Sequence, residues 1–237
     1  MTPKIEIYPG KKAMAREFGK QLEQLTQESE NVTIALSGGS TPKAIFEILV
    51  LEFKDLINWK NIKFFWGDER CVEPIDPESN YGMAHDLLLS RVPVDKTKIF
   101  RVSGEISPHD AALQYEQSIK KEVPFINGLP QFDLMILGLG DDGHTASIFP
   151  HQIELWNSEN ICEVATHPDT GQNRVTLTGN VINNSKQILF WITGEKKAEK
   201  VDEIINKKDN YKQYPASLVK PDNSIWMMDE KAAKKVG

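Results

Sequence analysis

The feature that most restricts the fold of this chain is an alternation: short apolar runs are separated by longer amphipathic stretches. Runs such as Val32-Thr33-Ile34-Ala35-Leu36 and Phe64-Phe65-Trp66 are too short for helices and apolar enough for burial. Strands are expected at 4–8, 32–36, 62–66, 134–137, 161–165, 175–177, 188–193 and 225–228. Between them, helices are expected at 11–29, 42–51, 83–90, 111–123 and 195–206. Such alternation predicts a single-domain α/β fold over 1–237: a mostly parallel, Rossmann-like sheet with helices on both faces. A chain of 237 residues can fold around one such core. Thr41 can cap a helix with Pro42 at its first position, where a missing N–H costs nothing. His109-Asp110 similarly precedes the run from Ala111. Loops are expected at 71–81 and 124–130, where prolines and turn residues collect.

Composition narrows the function classes. The net charge is −6 and the basic residues are scattered, with Lys196-Lys197 and Lys207-Lys208 set among acidic neighbours. No broad positive face for nucleic acid is therefore expected, and an anion would have to be captured locally by a few donors. The first residues, Met1-Thr2-Pro3-Lys4-Ile5-Glu6, lack a basic stretch followed by an apolar core, and no apolar run approaches the about 18 residues a membrane helix needs. The expectation is a cytoplasmic protein without a membrane partner. The two cysteines, Cys71 and Cys162, match no zinc or thioredoxin-type spacing.

In open α/β sheets, ligands bind beyond the carboxyl ends of the strands. Three predicted strands end in chemically loaded loops. The first is Ser37-Gly38-Gly39-Ser40-Thr41, ahead of a helix: its glycines admit a ligand close to the backbone, and the free N–H groups of a helix start, with three hydroxyls, suit a phosphate or carboxylate. The second, Gly67-Asp68-Glu69-Arg70, brings two carboxylates and a guanidinium to a strand end, where an acid can orient a catalytic group and Arg can meet an oxyanion.

The third, Gly138-Leu139-Gly140-Asp141-Asp142-Gly143-His144-Thr145-Ala146-Ser147, carries the glycine spacing of a dinucleotide fingerprint, with Glu163 at a suitable distance beyond. Asp141 and Asp142 argue against that use, because they would press negative charge toward a pyrophosphate that should meet backbone donors. The loop offers instead a histidine beside a carboxylate. His144 can take and return a proton near neutral pH, and a neighbouring acid can fix its tautomer. His85, His109, His151 and His167 are read as structural.

At these residues the sequence closely resembles the 6-phosphogluconolactonases. The resemblance rests on the three loops, on Ser79-Asn80-Tyr81-Gly82, on Ile148-Phe149-Pro150 completing the third loop, on Arg174-Val175-Thr176-Leu177-Thr178, on the segment 194–198 and on Pro215-Ala216-Ser217. Together they span nearly the whole chain in order. The first loop is shared with a sister family, the glucosamine-6-phosphate deaminases, in which a Phe-Asn-Glu-Pro segment follows the Asp-Gly-His element and its Glu serves ring opening. Here the corresponding residues are Ser147-Ile148-Phe149-Pro150, and Phe149 cannot carry a proton. Deaminase or isomerase activity is thus the alternative reading. Asp141 stands where the lactonase motif varies and receives no role.

The resemblance implies hydrolysis of 6-phospho-D-glucono-1,5-lactone to 6-phospho-D-gluconate, in the oxidative pentose phosphate pathway, with neither metal nor organic cofactor. It implies His144 as general base, Asp68 or Asp142 as its orienting acid, and Arg70 with backbone N–H groups as oxyanion donors. Ser37, Gly38, Gly39, Ser40, Thr41, Arg174 and Lys197 would hold the phosphate, and Asn80 the sugar hydroxyls. Lys196, adjacent to Lys197, is a competing candidate for that position. The expected partner is a small phosphorylated lactone, bound by a monomer or small homo-oligomer.

Overall fold

The computed structural model describes residues 3–236, so Met1 and Thr2 of the N-terminal stretch considered above, and Gly237, lie outside the described residues. The strands are β1 (Lys4–Tyr8), β2 (Val32–Leu36), β3 (Ile62–Trp66), β4 (Asp68–Arg70), β5 (Phe125–Ile126), β6 (Leu129–Pro130), β7 (Leu134–Leu137), β8 (Cys162–Thr166), β9 (Asn173–Leu177), β10 (Gln187–Ile192) and β11 (Ser224–Asp229). The α-helices are α1 (Lys11–Glu28), α2 (Ser40–Glu52), α3 (Asn80–Ala84), α4 (Pro108–Glu122), α5 (Gly179–Asn183) and α6 (Ala198–Ile205).

Six strands form a wholly parallel sheet in the order β1-β11-β10-β7-β2-β3. Period-two alternation divides their side chains between two cores. Ile34, Leu36, Leu134, Ile136, Leu189 and Trp191 point toward α1 and α2, meeting Met14, Phe18, Ile45 and Phe46. Ala35, Met135, Leu137, Ile188, Phe190 and Ile192 face the opposite way, toward Ala111, Tyr115 and Ile119 of α4 and Val201 and Ile204 of α6. Both faces of the inner strands are covered, which is why β2, β7 and β10 read as largely apolar runs, whereas the edge strand β1, Lys4-Ile5-Glu6-Ile7-Tyr8, alternates.

The topology fixes where a ligand can sit. The chain leaves β2 for β3 at one edge of the sheet, and later returns to lay β7 against the other side of β2. That reversal opens a crevice beyond the carboxyl ends of β2 and β7, and the loops at 37–41 and 138–147 are the ones that flank it.

Several sequence expectations are corrected. The 68–70 segment is a strand, not a loop, and β8 and β9 do not join the parallel sheet: β4, β9 and β8 form a separate antiparallel sheet. Val175 and Leu177 bury one face of it against the α4 side of the core, which satisfies their apolar character without a place in the main sheet. The cap expected of Thr41 is not formed: α2 begins at Ser40, with Gly39 as its cap residue at φ 100° and no side-chain cap bond. α4 starts earlier than expected, because the Ser107 hydroxyl accepts the Asp110 N–H and Pro108 takes the first turn. The 83–90 helix begins at Asn80 and continues through a π-helical turn, His85–Leu89, while 195–206 opens with the 3₁₀ turn Glu195–Lys197. The 124–130 connection contains the short hairpin β5–β6, and α5 went unread.

Candidate active site

The loop after β2 is shaped by its two glycines. Gly39 takes a left-handed φ of 100°. Gly38 lies so close to Asn80 that a Cβ would fall 1.8 Å from Asn80 Oδ1. Backbone N–H groups at the start of α2 lie beyond these glycines, where no preceding turn of helix supplies an acceptor. The Thr41 hydroxyl is engaged with Thr193 Oγ1 at 2.7 Å, which joins the loop to the residue following β10.

β4 distributes its three residues by strand alternation. Asp68 and Arg70 both line the cleft, whereas Glu69 is directed away from it and is 2% exposed. The Glu69 carboxylate accepts the backbone N–H groups of Arg70, Asn80 and Tyr81 at 2.8, 2.7 and 2.7 Å, and the Ser79 hydroxyl at 3.2 Å. Burial pushes its pKa up, against the lowering effect of those backbone bonds. Glu69 thereby ties β4 to the start of α3, and Asn80 returns a bond from Nδ2 to the Asp68 carbonyl at 2.9 Å.

Asp68 Oδ2 accepts the Ser147 hydroxyl at 2.7 Å, and Arg174 Nη1 donates to the same Ser147 oxygen at 3.4 Å. Arg70 and Arg174 are paired residues across β4 and β9. Burial lowers the Arg174 pKa, and the neighbouring Arg70 charge adds to the effect. Arg70 Nη1 donates to the Glu78 carbonyl at 2.6 Å, while its buried Nε has no partner among the described residues.

The third loop presents the histidine. His144 Nδ1 lies 2.6 Å from Asp142 Oδ1, which also accepts the His144 backbone N–H at 3.1 Å. A carboxylate accepts, so Nδ1 carries the proton and Nε2 keeps its lone pair. Burial would raise the Asp142 pKa, but the hydrogen bond and charge of His144 outweigh it and hold the acid at about 2. Gly140 is required beneath this pair, since a Cβ there would meet His144 Nδ1 at 2.1 Å and Asp142 Oδ1 at 2.6 Å. Gly143, at φ 87°, packs under the Tyr214 ring.

These elements enclose a cleft of about 310 Å³ lined by Ser37, Gly38, Gly39, Asp68, Arg70, Asn80, His144, Arg174 and Lys197 among others. Ser40 and Thr41 line an adjoining lobe of about 170 Å³, shared with Thr193 and Lys197. Asp142 stands behind the imidazole rather than in the wall. Of the two acids considered as partner to His144, Asp142 makes the contact and Asp68 is bound to Ser147. Lys197, not Lys196, reaches the cleft, and its ammonium pairs with Asp141, a residue to which the sequence assigned nothing. Among the described residues no group of three or more His, Cys, Asp and Glu side chains is arranged to hold a metal ion.

The family profile described as glucosamine-6-phosphate isomerases/6-phosphogluconolactonase matches residues 11–228. The chain belongs to that family. Within it, a 6-phosphogluconolactonase of Treponema pallidum is 45% identical over 196 residues, covering 83% of this chain and 81% of the relative. A 6-phosphogluconolactonase of Haemophilus influenzae is 41% identical, covering 88% and 89%. A solved structure, devB protein, superimposes with a TM-score of 0.93 at 38% identity, covering 99% of each chain. Against the deaminase branch of the family, the position of the ring-opening Glu holds Phe149, which is fully buried with its ring 4.7 Å from that of His144.

Ser147, Glu69, Thr193 and Asp141 are the site residues that sequence reasoning left without roles. Ser147 lay inside a quoted motif. Glu69 could have been separated from Asp68 and Arg70 only by recognising 68–70 as a strand. Asp141 lay in the third loop but its partner Lys197 is distant in sequence, and Thr193 carried no local signal.

Proposed function

We propose that this chain hydrolyses 6-phospho-D-glucono-1,5-lactone to 6-phospho-D-gluconate, with His144 as the general base. The observation that carries the reading is the Asp142–His144 contact of 2.6 Å at Nδ1, which leaves Nε2 as the basic nitrogen at a cleft with an anion-binding side. The names of the Treponema and Haemophilus relatives support it. So does Phe149, which offers no proton for ring opening.

In the proposed reaction a water molecule gives a proton to His144 Nε2 and its oxygen adds to the lactone carbonyl. The resulting imidazolium is stabilised by Asp142. Negative charge on the former carbonyl oxygen is met by backbone N–H groups of the glycine-rich loop and by Arg70, which lines the cleft. Collapse breaks the bond from the carbonyl carbon to the ring oxygen, and His144 returns the proton to that oxygen. Arg174, Lys197 and the Ser37-Gly38-Gly39-Ser40-Thr41 loop hold the phosphate, so the carbonyl is presented to the imidazole at little further entropic cost. Asn80 contacts the sugar hydroxyls. Asp68, through Ser147, holds the wall between the base and Arg174. The substrate is met as a small molecule in the cytoplasm, without nucleic acid or membrane.

Acid release from freshly generated 6-phosphogluconolactone, corrected for spontaneous opening, tests the reading. Turnover is expected for the intact chain and a loss of about 100-fold or more in kcat for His144→Ala. Near-unchanged kcat in that variant, or ammonia release from glucosamine 6-phosphate by the intact chain, would overturn it.

A further inference from the structure

Phe149 is not merely the residue that stands in place of a deaminase acid. Its ring is fully buried and packs against two functional groups contributed by different parts of the chain. The His144 imidazole packs at 4.7 Å between ring centroids, tilted by 53°. The Arg174 guanidinium carbon stands over the same ring, 5.5 Å from its centroid. His167 packs on the same ring edge-on at 5.3 Å and His151 at 5.8 Å, so the phenyl group is confined from further directions.

Arg174 makes no ion pair with a carboxylate among the described residues; its polar bonds are to Ser147 at 3.4 Å and Gln172 at 3.3 Å, both long. A guanidinium held so loosely by oxygen atoms takes much of its placement from the aromatic face beneath it, through the attraction of the ring quadrupole for a cation. The imidazole is likewise fixed at one nitrogen by Asp142 and at one face by the phenyl ring. Base and phosphate anchor therefore rest on a common rigid body.

We infer that Phe149 is a positioning residue that sets the spacing between the general base and the Arg174 anion anchor, and so selects lactones carrying a phosphate at a fixed distance from the carbonyl. The inference rests on the lactonase reading above for the identity of base and anchor. A substrate without phosphate uses only one of the two groups, so it depends on the spacing far less. A phosphorylated substrate must satisfy both at once.

The test compares kcat/KM for 6-phosphogluconolactone with that for unphosphorylated D-glucono-1,5-lactone, in the parent chain and in Phe149→Leu. Leucine keeps the site apolar and removes the ring face. The preference for the phosphorylated lactone is expected to fall about tenfold, the scale of a desolvated cation–aromatic contact. If Phe149 merely supports the fold, both substrates lose activity by the same factor and the preference is unchanged; that result would overturn the inference. Should Phe149→Leu fail to fold, Phe149→Met preserves volume with a more adaptable side chain and is measured in the same way. Calorimetric binding of 6-phosphogluconate and gluconate separates this inference from the functional reading. A parent chain that binds but does not turn over lactone defeats the reading alone, whereas an unaltered preference between the two acids in the variant defeats the spacing role.

Discussion

At the scale of single residues, the proposed general base depends on a glycine for its placement. Gly140 leaves the space in which Asp142 and His144 meet, and a methyl group there would overlap both. Gly140→Ala is accordingly expected to lower kcat by about 100-fold, comparable to loss of the base itself, with an unchanged far-ultraviolet circular dichroism spectrum. Asp142 also imposes a pH dependence. Its folded-state pKa is depressed to about 2, so its contribution to stability is present above the ordinary carboxylate range and disappears as pH falls through the folded value. The difference in thermal midpoint between the parent chain and Asp142→Asn should therefore shrink between about pH 4 and pH 2. A difference that persisted unchanged at pH 2 would contradict the depressed pKa. Asp142 was visible in the sequence as one of two candidate partners of His144 because the two residues lie within one turn, but the choice over Asp68 was not. The Lys197–Asp141 pair was not, since it joins residues 56 positions apart.

At the scale of elements, β4 and α3 act together. Glu69 gathers three backbone N–H groups and a hydroxyl, and so holds the strand carrying Asp68 and Arg70 against the helix carrying Asn80. Glu69→Ala would leave buried donors without acceptors, at a cost on the order of 3 kcal/mol, measurable as a shift in the urea midpoint. The segment read as a loop from the sequence because three charged or acidic residues in a row have little strand propensity. Pairing with β9 overrides that tendency, and only pairing could have revealed it. β9 brings Arg174 into the cleft. Arg174→Ala should raise KM with little change in kcat, because a phosphate remote from the reacting carbonyl is held alike in the ground and transition states. Steady-state kinetics showing a large kcat loss at constant KM would contradict an anchoring role.

For the molecule as a whole, the reversal of strand order between β2 and β7 assembles the site from segments scattered over most of the chain. Ligand binding to such a site opposes global unfolding. Gluconate 6-phosphate at 100 times its Kd should stabilise the parent chain by about 2.7 kcal/mol, and markedly less when Arg174 is alanine at the same concentration. Thermal unfolding with and without the ligand checks this; an equal shift in both proteins would remove Arg174 from the binding surface. No α-helix among the described residues is long and apolar enough to cross a membrane. What the sequence determined by itself was local or periodic: the six apolar runs that became the parallel sheet, the amphipathic helices covering it, the glycine loops and the adjacent Asp142 and His144. These are legible because side-chain periodicity and short-range backbone sterics operate within a few residues. The tertiary structure alone decided that β8 and β9 leave the main sheet, that Asp142 rather than Asp68 holds His144, and that Phe149 packs against both His144 and Arg174. Each of those outcomes depends on which distant segments pack together, a choice made by the burial of whole faces rather than by any short stretch of residues.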